Sequence, residues 1–207
     1  GCIYWHMVSK LLLAVQENFF AALDSQEDSK ACHRLGQLYY RIRKGIGFNK
    51  TPQEYGAFPT DPYSHTPGNV GARQPGMTGQ VKEEILSRFG ELGVRVSGGM
   101  ARFQPALLRA REFVTSPGHL RFLDVDGVWQ ELQIGRASIA FTWCQVPIIY
   151  ELIETGESSL TLTLDSNEQK SFAQLALPAD ESSALFSRSG HIRQVRVRIQ
   201  ADALFAE

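Results

Sequence analysis

The chain has 207 residues, of which 43% are hydrophobic and 21% charged, with a formal net charge of −1. This is the composition of an ordinary globular protein with enough apolar surface for a core. It excludes the strong positive field by which proteins hold nucleic acid or anionic membranes, so neither is expected as a partner.

The chain opens GCIYWHMVSKLLLAV, without a signal-peptide n-region or a small-residue cleavage site after the apolar run. His6, Ser9 and Lys10 interrupt that run, so it does not read as a membrane span. Ile3 to Leu23 reads as a helix with apolar residues on nearly every face, including Trp5, Leu11, Leu12, Phe19 and Phe20. Such a helix is buried on most sides. Few neighbours are on offer here, so we expect a homo-oligomer or a missing N-terminal region. A second helix is predicted from about Lys30 to Lys44. Its last turn holds Arg43 and Lys44, which favour the negative end of the helix dipole, and Gly45 stops it.

Gly45 to Gly79 is predicted as a long loop. It holds five of the nine prolines and seven of the eighteen glycines, and it also holds Phe48, Tyr55, Phe58 and Tyr63. Disordered segments lack such aromatics, so the stretch reads as an ordered loop that shapes a site, or as a compact cover over a core. Thr78 then caps a third helix, Gln80 to Phe89. Gly93–Val96 and Met100–Phe103 read as a hairpin joined through Ser97-Gly98-Gly99.

From about Glu112 the pattern changes from helical period to short β-branched and aromatic runs. Predicted strands are Glu112–Thr115, Leu120–Val125, Val128–Ile134, Ser138–Trp143, Val146–Glu154, Leu160–Leu164 and His191–Gln200, with Gln169–Leu177 ambiguous. Asp126-Gly127 is a two-residue hairpin signal. In the last strand Arg193, Arg196 and Arg198 alternate with Val195, Val197 and Ile199, which predicts one wet face. The expected fold class is α+β. A helical part is predicted over 1–110, carrying the loop 45–79 and the hairpin 93–103, and an antiparallel sandwich or jelly-roll domain over 111–207.

Three stretches carry a resemblance: YWHMVSKLLLAVQE, the loop and helix FPTDPYSHTP…QPGMTGQVKEEIL, and the hairpin ELGVRVSGGMARFQPALL with its β-rich tail. In this order they resemble the C-terminal end of glycoside hydrolases and phosphorylases built on a six-hairpin α/α barrel, of the cellobiose-phosphorylase-like or glucoamylase-like kind. Leu92–Pro105 carries the closest match. The resemblance implies the last helices of a barrel and a closing β domain. A whole barrel needs twelve helices, and three are predicted here.

Glycoside cleavage uses two carboxyl groups flanking the sugar bond. Glu83 and Glu84 follow the loop at the start of the third helix, where the resemblance implies a sugar site, so one of them is a candidate base. The alternative is a solvated first turn that favours the helix dipole. Asp61, Tyr63 and His65 alternate along DPYSH. With Tyr55 and Gln74 they are candidate substrate-binding groups, because hydroxyls need hydrogen-bond partners and a sugar face stacks on aromatic rings. The alternative is a turn begun by Asp61-Pro62. His6 and His33 read as structural. Cys2, Cys32 and Cys144 show no CxxC or zinc spacing, so no metal or other cofactor is expected. Buried free thiols and a reducing, cytoplasmic location fit them, although three cysteines also allow one disulfide. The expected function is carbohydrate-active and incomplete for catalysis in this chain. The rival expectations are a non-catalytic β-sandwich module that binds sugar or protein, and a relative with a structural role.

Overall fold

The computed structural model describes residues 2–3, 5–25, 29–46, 66–67 and 80–206. The chain forms two compact units, Gly1–Gly90 and Glu91–Glu207.

The first unit is helical. It contains α1 (Trp5–Asp24), α2 (Ser29–Ile46) and α3 (Gln80–Glu91), at the positions that periodicity predicts except that α2 continues through Gly45, the expected stop and first loop residue, to Ile46. A short antiparallel contact joins β1 (Cys2–Ile3) to β2 (Thr66–Pro67). α1 and α2 pack against each other. Leu12, Val15, Phe19 and Phe20 of α1 are buried, as are Tyr39 and Ile46 of α2. The all-round apolarity of α1 is not fully used, because Met7 and Leu11 remain 59% and 52% exposed. Among the described residues no helix is long and apolar enough to cross a membrane.

The second unit has the hairpin β3 (Val94–Ser97) and β4 (Met100–Phe103), the hairpin β5 (Gly118–Leu123) and β6 (Trp129–Ile134), and strands β7 (Ser138–Trp143), β8 (Val146–Ile153), β9 (Ser159–Leu164), β10 (Gln169–Phe172) and β11 (Ile192–Gln200). A short helix, α4 (Ala179–Phe186), precedes β11. The last five strands make one sheet in the order β10-β9-β11-β8-β7. One face of it carries Leu160, Leu162, Val195, Val197, Ile148 and Tyr150, in register across β9, β11 and β8 and fully buried. Arg196 and Arg198 stay on the wet face, as the alternation predicts.

Four findings differ from the sequence expectation. β11 runs parallel to β8, so the sheet is mixed, not antiparallel throughout. A parallel pair needs a long crossover, and here β9, β10 and α4 supply it. β11 then enters between β8 and β9, two strands consecutive in sequence. Second, the β3–β4 hairpin belongs with the β unit and not with the helices. Phe103 N–H donates to Leu175 O and Leu177 N–H donates to Ala101 O, both at 2.8 Å, which ties β4 to the segment after β10. The units therefore divide before the hairpin, not at residue 110. Third, α4 was not expected. Eight residues are too few for a periodic signal, and tertiary contacts hold the helix. Leu185 is fully buried, and Ser182 Oγ accepts from Ala101 N–H and donates to Leu177 O, both at 3.0 Å. Fourth, Glu112–Thr115 forms only a single bridge, Val114 to Ser138.

Candidate functional site

α3 places Glu83, Ser87 and Gly90 at i, i+4 and i+7, one stripe of a helix. All three are buried. Gln16 of α1 reaches this stripe. Its Nε2 donates to Ser87 O at 2.7 Å and to Tyr39 Oη of α2 at 3.3 Å, while Tyr39 O–H donates to Ser87 O at 3.4 Å. Gly90 is there because nothing larger fits, since a Cβ on it would overlap the Gln16 side-chain amide. The three helices thus meet around a polar seam. That seam is incompletely satisfied: Ser9 Oγ, Ser87 Oγ and Glu83 Oε2 are buried and have no hydrogen-bond partner among the described residues. Buried polar atoms are nearly always paired, and each exception calls for an explanation.

The two candidate glutamates separate. Glu83 is 9% exposed and Glu84 is half-buried, and each has one carboxylate oxygen shielded from solvent, Oε2 of Glu83 and Oε1 of Glu84. Neighbours on a helix point about 100° apart. The solvated-face alternative therefore fails for Glu83. Tyr55, Asp61, Tyr63, His65 and Gln74 lie outside the described residues, as does most of the loop 45–79. The cysteine expectation is corrected in part: Cys32 and Cys144 are free thiols, but both are half-buried.

Sequence reading missed a second group, in the β unit. Asp124 follows β5, and Oδ1 of its buried carboxylate accepts the backbone N–H groups of Val128 at 2.9 Å and Asp126 at 3.0 Å. Oδ2 accepts from Gln130 Nε2 at 2.7 Å. These bonds hold the carboxyl below the usual aspartate range, with the Val128 N–H the main cause, and burial opposes them. They also change the turn. Asp124 N–H donates to Val128 O, and Gly127 sits at φ +75° closing a longer loop, so Asp126-Gly127 is not a two-residue hairpin. The signal available was Asp two residues before Asp-Gly, an Asx-turn pattern. A two-residue turn is instead made by Cys144-Gln145, between β7 and β8, with φ of 50° and 65°. Neither residue type announces such a turn. Gln145 Nε2 donates to Asp124 O at 2.8 Å and fastens this turn to the β5–β6 loop.

The outer face of the β5–β6 hairpin is open. Trp129 is 61% exposed, with the Arg121 guanidinium 4.7 Å from its ring centre. His119 lies 3.9 Å from Glu131 on the same face. No family model and no curated protein matches the chain.

Proposed function

We propose that the chain is the C-terminal part of a carbohydrate-active protein, of the kind built on a six-hairpin α/α barrel, and that it binds sugar without turning it over. In this reading α1 to α3 are closing helices of a barrel and the β unit is its sandwich-like terminal domain. A cytoplasmic location belongs to the same proposal.

The observation that carries it is Glu83 Oε2, a buried carboxylate oxygen in the first turn of α3 without a partner among the described residues. Leaving a polar group buried and unpaired costs several kcal/mol. A sugar hydroxyl would complete it. Cleavage needs a second carboxyl across the bond. Glu84 projects from another side of the same helix and does not meet that need, so catalysis requires residues from elsewhere. Met7 and Leu11 on α1, with Ile85 and Leu86 on α3, are each more than half exposed. Apolar helix surface of this kind supports neighbouring barrel helices, or a second copy, as its cover.

The test is calorimetric titration of the chain with neutral oligosaccharides, paired with a reducing-end assay. Binding in the millimolar range, about −4 kcal/mol, is expected, with no release of reducing ends. Glu83→Gln should weaken it. Absence of binding across the panel, or turnover by the chain alone, would overturn the proposal.

Exposed Trp129 favours a second reading, a non-catalytic module that binds sugar or protein through the hairpin face. Under it Trp129→Ala abolishes binding and Glu83→Gln leaves it intact.

A further inference from the structure

Three backbone irregularities converge in the β unit. The β5–β6 loop is wound around the Asp124 carboxylate. The Cys144-Gln145 turn holds two non-glycine residues in the left-handed region. β11 begins with a register shift against β9 between Ile192 and Gln194, a bulge that sets Arg193 outside the ladder. Bulges and left-handed non-glycine residues each cost stability, and they collect where a surface is shaped for a ligand. Between these three features lies a cleft of about 250 Å³.

Its lining has two chemistries. Phe122, Pro147 and Ile192 supply apolar surface, and Gln130, Gln145 and Gln194 supply side-chain amides. Two of the charges nearby are engaged, Arg193 with Asp126 at 3.4 Å and the Asp124 carboxylate with its own loop, and Glu131 alternates onto the outer face of the hairpin with His119. The Gln194 amide has no partner within the described residues. What remains for a ligand is therefore neutral donors and acceptors beside an apolar wall. An amide both donates and accepts, as a hydroxyl does, and the C–H face of a sugar ring suits the wall. The cleft is too small for an oligosaccharide and lies just below the range of drug-sized pockets.

We infer that this cleft is a binding site for a single neutral pyranose unit, separate from the helix seam that holds Glu83. The inference rests on the carbohydrate reading above and gives it a second location. Asp124 is here a positioning residue: it holds the loop and, through Gln145, the turn. The amides make the contact.

The experiment is an ¹⁵N-edited NMR titration of the full chain with glucose, galactose and mannose, with sorbitol as the open-chain control. Saturable shifts of the Gln130, Gln145 and Gln194 side-chain amides are expected with at least one pyranose. Gln194→Leu should weaken that binding about tenfold, the scale of one lost hydrogen bond. If that variant loses its dispersed spectrum, Gln145→Gly takes its place, because glycine accepts the same positive φ. Saturable shifts confined to α3 would overturn the cleft and leave the carbohydrate reading standing. No saturable shift from any sugar, at either place, would overturn both. Equal saturation by sorbitol would overturn the pyranose assignment.

Discussion

Gly90 of α3 and Gln16 of α1 are in such close contact that the glycine hydrogen occupies the only space left beside the glutamine amide. The amide cannot simply move away. It is 4% exposed and bonded to both Ser87 O and Tyr39 Oη. Gly90→Ala should therefore displace it and destabilise the helical unit by about 1–2 kcal/mol, a lost buried hydrogen bond outweighing the helix-propensity gain. In a Gln16→Ala background the same substitution should be neutral or stabilising. A denaturant double-mutant cycle reads this directly, and additive effects would contradict the contact.

Gly93 presents a harder case. Its φ is +69°, and a Cβ there would overlap the backbone of Gln104 and Pro105, not a side chain. Gln104 N–H also donates to Gly93 O at 2.7 Å. Backbone cannot yield as a glutamine tip can. Gly93→Ala should cost about 2–4 kcal/mol and open the approach to the β3–β4 hairpin. Urea unfolding followed in the β unit tests it, with Gly98→Ala, in open space at φ +58°, as the milder comparison.

The Asp124 carboxyl titrates below the ordinary aspartate value of 3.8. Its folded pKa is depressed, so its contribution to stability is fully present above that value and is lost as pH falls through the folded pKa. The β unit should lose stability in that acidic window. Asp124→Asn should flatten the slope there. Thermal melts from pH 5 downward check this, and an unchanged slope in the variant would count against the loop geometry.

Under the proposed function, Glu83 sets sugar binding against stability. A buried carboxylate oxygen unpaired among the described residues destabilises the free protein. Glu83→Gln removes the charge and should raise the stability of the helical unit by about 1 kcal/mol while weakening sugar binding. A variant that is both less stable and unable to bind would point to a purely structural carboxylate.

Much of the fold was legible in the sequence because local chemistry specifies it. The three helices follow from the 3.6-residue spacing of their apolar residues, and Arg43 and Lys44 lie in the last turn of α2 as expected, although the helix passes through Gly45 to Ile46. β11 was readable from strict alternation, and its Val195, Val197 and Ile199 are all fully buried. Gly98 and Gly99 take the positive φ values that their turn requires.

Other features depended on partners distant in the chain. The parallel pairing of β8 with β11 follows from where the crossover returns, and no residue of either strand encodes that direction alone. α4 exists because Ser182 and Leu185 find Ala101, Leu177 and the core. The left-handed Cys144-Gln145 turn is tolerated because Gln145 reaches Asp124, 21 positions earlier. The sequence narrowed the carboxylates to Glu83 and Glu84. Only packing graded them, because one helix step of about 100° puts Glu83 on the buried stripe with Ser87 while Glu84 is only partly buried.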